Sequence, residues 1–217
     1  MRLITIDTDP ENMLEANHPA RVFHNDVKHT FAMHDAIVVG VIASSANDTA
    51  TENADRTTNK GIYTPENLSA IDKVSQHILN TEGVIAQDVM SFSTVDNITQ
   101  GDSGELKFSW MMPNAPASQE EAGKIAEAIA RLPMLQGTLA SSSKNAAAIY
   151  VPIKDKNESF RIAEDIRAFI GANTTNETLQ WHITGLPVAE DQFGVEMFIQ
   201  MAISAPAAGL MIFILLF

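Results

Sequence analysis

The last 21 residues of the chain, Met197–Phe217, contain no charged side chain. Gln200 and Ser204 are the strongly polar residues there, and a membrane helix tolerates the residues Pro206 and Gly209. About 20 consecutive apolar residues are needed to cross a bilayer as a helix. The segment therefore predicts a transmembrane helix. The alternative is a buried C-terminal core helix, but such a helix usually keeps one polar stripe, and this segment has none.

Both ends of the chain predict a fragment of a larger protein. No Lys or Arg follows the apolar segment, although such residues normally anchor the far end of a membrane span. Arg2–Asp7 is already strand-like, and no export signal precedes it. We expect an extracytoplasmic domain over residues 1–192, with a candidate subdivision near residues 100–117, followed by a truncated transmembrane helix over residues 193–217.

Composition excludes several classes of function. Of the 217 residues, 45% are hydrophobic and 19% are charged, which is typical of a globular protein. The formal net charge of -13 repels nucleic-acid phosphates, so we expect no nucleic-acid partner. The chain has no cysteine, which excludes disulfides, thiolate catalysis and cysteine-based zinc sites.

Strand-like and helix-like segments alternate along the rest of the chain. Asp35–Ala43 is a nearly continuous run of apolar and β-branched residues, which predicts a strand covered on both faces. Capping signals at Thr64–Pro65 and at Ser118–Glu121 predict the starts of two helices. The predicted strands are Leu3–Ile6, Asp35–Ala43, Val89–Val95, Leu106–Met112, Ala146–Ile153 and Leu179–Thr184. The predicted helices are Ala20–Phe31, the two capped segments, and Ser159–Ile170, which Gly171 closes.

The order of these elements predicts an α+β fold of ferredoxin-like type. A strand–helix–strand unit occurs twice, at about residues 36–95 and 146–184, and both lengths are typical of βαβ-type units. The economical architecture is an antiparallel or mixed sheet that is backed by helices on one face.

The strongest candidate for a binding surface is the segment Leu106–Met112. Alternation with a period of two places Leu106, Phe108, Trp110 and Met112 on one face of a strand. Methionine and aromatic side chains suit promiscuous hydrophobic ligands, so Phe108, Trp110 and Met112 are the predicted substrate-binding residues. The alternative is that this face packs into the core, as alternating strands usually do.

No metal, cofactor or catalytic site is predicted. The histidines are spaced five and six residues apart, which does not place them on one helical face; they are His18, His24, His29 and His34. The acidic run lacks the glycine and the distal glutamate of a calcium loop; it comprises Asp7, Asp9 and Glu11. A GxSxG sequence, a glycine-rich phosphate loop and HExxH are all absent, so we expect the chain not to be an enzyme.

Four segments in order resemble the first extracytoplasmic loop of resistance–nodulation–division exporters, in particular the predicted-exporter branch of mycobacterial-membrane-protein-large type. They are DTDPENML, HDAIVVGVI, VMSFSTVDNI and the closing ITGLPVAEDQFGVEMFIQMAISAPAAGLMIFILLF. The resemblance covers most of the chain, from just after the family's first membrane helix into its second. It implies porter subdomains on the periplasmic side of the inner membrane.

The resemblance also implies a function and partners. The whole protein would carry two such loops and about twelve membrane helices, and would use the proton gradient to expel amphiphilic or lipid-like molecules. Its acidic proton-relay residues would lie in later membrane helices, outside this chain. The implied partners are the lipid bilayer, the remainder of the transporter and an amphiphilic small molecule or lipid. The alternatives are an extracytoplasmic sensor or ligand-binding domain of a receptor and, less favoured, a membrane-tethered enzyme.

Overall fold

The computed structural model describes residues 13–43, 61–101, 104–174 and 178–216, so the strand predicted at Leu3–Ile6 lies outside the described residues. The helices are α1 (Pro19–Thr30), α2 (Pro65–Leu79), α3 (Gln119–Ala130), α4 (Ser159–Asn173) and α5 (Leu186–Leu216). The strands are β1 (Ala36–Ala43), β2 (Asp96–Gln100), β3 (Leu106–Trp110), β4 (Ala146–Pro152) and β5 (Leu179–Thr184). The predicted α+β class is confirmed.

The main sheet has three strands in the order β4-β1-β5. β1 pairs antiparallel with both neighbours, so that Val39 lies opposite Ile149 of β4 and opposite Ile183 of β5. β4 and β5 are therefore parallel to each other, and α4 connects them. β4 also takes part in two isolated antiparallel bridges, Met90 with Tyr150 and Ala140 with Ala147, and a third joins Val84 to Ile153 just beyond its end.

Only one face of this sheet lies in the core, so the predicted covering of β1 on both faces is wrong. Alternate β1 residues are fully buried, and they are Ile37, Val39 and Val41. On the opposite face Val38 and Gly40 are half-buried and Ile42 is 39% exposed. The reason is that the buried residues of α2, α3 and α4 share one core with the Val39 face. β1 is thus the central strand of the sheet, and only one of its two faces is fully covered.

The capping predictions for two helices are confirmed. The Thr64 hydroxyl accepts a hydrogen bond from the backbone N–H of Asn67 at 3.2 Å, at the start of α2. At the start of α3, the Ser118 hydroxyl accepts from the Glu121 N–H at 3.2 Å. The Glu121 carboxylate in turn accepts from the Ala117 N–H at 2.7 Å. The helical faces predicted for α2 are buried, at Leu68, Ile71, Val74 and Ile78.

The strand predicted at Val89–Val95 is wrong, and the segment forms turns instead. The Thr94 hydroxyl donates to the Val89 carbonyl at 2.6 Å and accepts from the Ser91 N–H at 2.8 Å. Serine and threonine side chains that bond nearby backbone groups compete with strand pairing. Phe92 in the middle of these turns is buried and stacks on Tyr63, with ring centroids 6.1 Å apart. The first strand–helix–strand unit is therefore not formed, whereas the second is present as β4-α4-β5.

Helix α4 does not end at Gly171, as predicted, but continues to Asn173. Side chains near its end add hydrogen bonds to carbonyl groups of the last turns. The Thr174 hydroxyl donates to the Ile170 carbonyl at 2.6 Å, and the Asn173 amide donates to the Phe169 carbonyl at 3.0 Å. These bonds end the helix without a glycine in a left-handed conformation.

We predict that stability falls at alkaline pH because of Tyr63. Burial raises the pKa of Tyr63 from 10.0 to about 12. Between these values the unfolded phenol has lost its proton and the native phenol keeps it, so the free energy of unfolding is constant below the unfolded pKa and falls as the pH rises toward the folded pKa. The measurement is urea unfolding at several alkaline pH values. A Tyr63→Phe variant with the same alkaline loss as the native chain would contradict this assignment.

Candidate functional site

The candidate site is the hairpin formed by β2 and β3. Their antiparallel register places Ile98 opposite Phe108, Gln100 opposite Leu106 and Asp96 opposite Trp110. Because side chains alternate between the faces of a strand, all six lie on the same face of the hairpin. We call the apolar members of this set, Ile98, Leu106, Phe108 and Trp110, the hairpin face.

The hairpin face is exposed, so the alternative of packing into the core is wrong for these residues. Leu106 is 64% exposed, Phe108 67% and Trp110 54%, and Ile98 on the facing strand is 47% exposed. The physical reason is that β2 and β3 form a two-stranded sheet of their own, which does not pair with the three-stranded sheet.

Met112, the third predicted site residue, lies apart from the other two. It follows the end of β3 and is fully buried in the core, and Met111 beside it is 4% exposed. The backbone N–H of Met111 also donates to the Val95 carbonyl at 2.8 Å. The structure therefore brings Phe108 and Trp110 together on the surface and uses Met112 to hold the base of the hairpin in the core.

The two faces of the hairpin differ in chemistry. The second face carries Asn97, Thr99, Lys107 and Ser109, and Lys107 forms an exposed ion pair with Glu105 at 3.4 Å. An aromatic and aliphatic surface with a polar reverse side can bind an apolar molecule, a membrane surface or another protein. Asp96 and Gln100 border the apolar side with polar groups.

Helix α5 is the second feature that bears on function. It runs for 31 residues, and within the described residues it is the one helix long and apolar enough to cross a membrane by length and composition. Its apolar window has a mean hydropathy of 2.0 and is 0% buried, which is unlike a core helix of a soluble protein. Residues 197–216 span about 30 Å as a helix, the thickness of a bilayer's hydrocarbon core.

The first turns of α5 dock against α4. Val188 is buried, and the buried hydroxyl of Ser159 lies 3.2 Å from the Pro187 carbonyl oxygen and hydrogen-bonds to the Asp191 carboxylate. Beside this contact is a cleft of about 270 Å³ between the two helices, with Phe160 and Arg167 among its lining residues. Local sequence patterns do not predict this junction, because the contact joins residues about 30 positions apart.

The structure groups no metal ligands in the described part of the chain, where no cluster of three or more His, Asp or Glu residues forms. All four histidines near α1 are exposed, and the His18 ring nitrogen accepts a hydrogen bond from the Ala20 N–H at 3.2 Å as a helix cap. The acidic run Asp7–Glu11 lies outside the described residues.

Comparison of the chain with models of protein families, with curated protein sequences and with solved structures found no match.

We predict that two substitutions in and beside the hairpin affect the free energy of unfolding very differently. Phe108→Ser leaves the free energy of unfolding within about 0.5 kcal/mol of the native value, because the ring is already exposed. Met112→Ala lowers it by about 2–5 kcal/mol, because it removes a buried side chain and leaves a cavity. Urea unfolding of the detergent-solubilised chain, followed by circular dichroism, measures both. An equal loss in the two variants would show that the hairpin face is part of the core.

We further predict that Ser159 holds the start of α5 on the domain. In Ser159→Ala, amide hydrogen exchange over residues 186–192 becomes about tenfold faster or more, because hydrogen bonds to charged groups contribute roughly 1.5–3 kcal/mol. Ser109→Ala on the hairpin is the matched control and leaves this exchange unchanged. Unaltered exchange in Ser159→Ala would mean that Val188 packing alone fixes the helix.

Proposed function

We propose that the chain is the extracytoplasmic porter domain, with the following membrane helix, of a proton-driven exporter of resistance–nodulation–division type that handles amphiphilic or lipid-like molecules. The observation that carries the proposal is the continuity of α5. Its first turns are docked on an α+β domain through Val188 and Ser159, while its remaining apolar length is left uncovered. A folded domain fixed to a membrane helix in this way is the arrangement that the resemblance implies.

The distribution of charge supports an extracytoplasmic position for the domain. Cytoplasmic flanks of membrane helices carry an excess of Lys and Arg. Residues 168–217, which include the whole approach to the span, contain neither residue. The flank on the domain side thus has the composition expected outside the cytoplasm, and we place the membrane as the inner membrane on the strength of the resemblance.

The strand order supports a ferredoxin-like subdomain. In that fold a strand–helix–strand unit is split by an antiparallel strand inserted between its two strands, and the helices cover one face. β4, α4 and β5 form such a unit with β1 inserted, and the core lies on one side of the sheet. The segment that bridges β4 at Val84 and Met90 lies at the position of a fourth strand.

The hairpin face supports contact with an apolar molecule. It presents two aromatic rings and two aliphatic side chains on an open surface rather than in an enclosed cavity. Such a surface binds apolar groups weakly and without strict shape requirements, which suits a molecule that is passed on rather than retained. Phe108 and Trp110 are the residues we assign to this contact, and the proposal includes no cofactor.

Docking of α5 on α4 would couple the domain to the membrane. A rigid connection lets a movement of the helix rotate the domain, or the reverse, as hinge-type transitions require. The same connection favours a second candidate function, an extracytoplasmic sensor in which ligand binding shifts α5. The two candidates differ in what surrounds this segment in its gene.

The coding sequence on either side of this segment distinguishes the two candidates. An exporter requires a preceding membrane helix, several later membrane helices with intramembrane carboxylates, and a second domain of this kind. A single span followed by a cytoplasmic kinase or cyclase domain would instead establish the sensor.

We predict that the hairpin face determines transport in the complete exporter. Burial of one aromatic side chain contributes roughly 1.5–3 kcal/mol, and 1.4 kcal/mol corresponds to a tenfold change in affinity. Replacing Phe108 and Trp110 together by Ser therefore lowers export of an amphiphilic dye at subsaturating concentration by about tenfold or more. The matched control is Lys107→Ser on the reverse face, which keeps native transport. Native export by the double variant, at native expression, would remove the hairpin from the substrate path.

A further inference from the structure

Helix α1 exposes its apolar side to the surroundings. Phe23 is 70% exposed, Phe31 at its C-terminal cap is 72% exposed and Met33 just beyond is 55% exposed. No residue of this helix is buried. A surface helix of a soluble domain normally directs its apolar stripe to the core, whereas the two aromatic rings of α1 stay exposed.

The cations of α1 lie together on a different side of the helix. Arg21 and Lys28 are seven residues apart, hence on one side of the helix, and both are half-buried. The Arg21 guanidinium donates to the Leu14 carbonyl at 2.8 Å, and the Lys28 ammonium lies 3.4 Å from the Asp35 carboxylate. Phe23 and Phe31, eight residues apart, share another side, where Val27 between them is half-buried. Both polar contacts are with residues that flank α1 in the chain, and they leave the rings of Phe23 and Phe31 exposed.

The chain path places α1 at the end of the domain from which α5 leaves. The Lys28–Asp35 pair ties the last turn of α1 to the start of β1. β1 is antiparallel to β5, so β1 starts where β5 ends. There the backbone of Gly185 lies so close to Ala36 that a Cβ atom on it would come within 2.5 Å of the Ala36 carbonyl oxygen. α5 begins at the next residue, Leu186.

We propose that α1 lies on the surface of the bilayer that α5 enters, with Phe23, Phe31 and Met33 inserted at the boundary of headgroups and acyl chains. This inference rests on the membrane span in the proposed function, but not on the exporter assignment. Interfacial amphipathic helices bury their apolar face about 5–10 Å deep, and aromatic side chains are enriched at that level.

The position of α1 beside the start of α5 favours the bilayer over a second copy of the chain as the occupant. The whole chain has a formal net charge of -13, which makes two copies repel each other. Residues 19–30 contain Arg21, Lys28 and Asp26 as their charged groups, two positive and one negative, giving a formal charge of +1. Because Lys28 is paired with Asp35, α1 carries little net charge, and the contact with lipid is made by Phe23, Phe31 and Met33.

The absence of cysteine from the chain allows a direct test by single-site labelling. The full chain carrying Phe23→Cys, labelled with an environment-sensitive NBD fluorophore, is placed in nanodiscs of phosphatidylcholine and phosphatidylglycerol. We expect a blue shift of the emission, quenching by doxyl-labelled lipid and loss of quenching by aqueous iodide. Asn25→Cys, about 160° around the same helix, is the matched control and keeps the properties of a label in water. Ile203→Cys reports the insertion of α5.

Each result has a defined meaning. A shielded label at residue 203 with a water-exposed label at residue 23 overturns the α1 inference and leaves the membrane span standing. A water-exposed label at residue 203 overturns the span and the α1 inference together. A blue shift at residue 23 that grows with protein concentration in detergent, without lipid, assigns the surface to contact between copies and also overturns the inference.

Discussion

The rest of the described structure depends on the position of β1 between β4 and β5. Within the described residues it is the strand of the main sheet that has another strand along each side, and Val39 at its centre meets Ile149 and Ile183 while lying in the core. Its antiparallel pairing fixes the parallel relation of the outer strands and so the path of α4 between them. It also brings the start of β1 beside the end of β5, where α1 and α5 both join the sheet.

The core accounts for one side of the sheet, and several apolar surfaces are left outside it. They are the hairpin face, the exposed rings of Phe23 and Phe31 on α1, and the apolar length of α5. A strongly charged chain gains solubility from its charge but does not usually expose apolar surfaces of this extent without a partner. Their separate origins, in a hairpin, a surface helix and a terminal helix, argue for more than one kind of contact with lipid or ligand.

Two errors of the sequence-based prediction occurred where side chains form hydrogen bonds with nearby backbone groups. Val89–Val95 has the composition of a strand, but the Thr94 hydroxyl bonds to backbone groups of Val89 and Ser91, and the Ser91 hydroxyl accepts from the Ser93 N–H. These bonds hold the segment in turns. Gly171 is a common signal for the end of a helix, but Thr174 and Asn173 bond the last carbonyls and α4 runs past the glycine. Local composition predicts only the tendency of a segment to form a strand or to end a helix. Whether these hydrogen bonds form depends on the backbone conformation, which the composition does not specify.

The sequence by itself determined the elements that carry strong local signals: the capped starts of α2 and α3, the apolar faces of α2, the strands β4 and β5, and the uncharged length of α5. Periodicity likewise showed that Phe108 and Trp110 share a face. Only the tertiary structure decided that this face is exposed while Met112 is buried, and that Phe23 and Phe31 of α1 are exposed. The physical reason is that periodicity identifies a face of an element, whereas burial depends on which distant element, if any, packs against it.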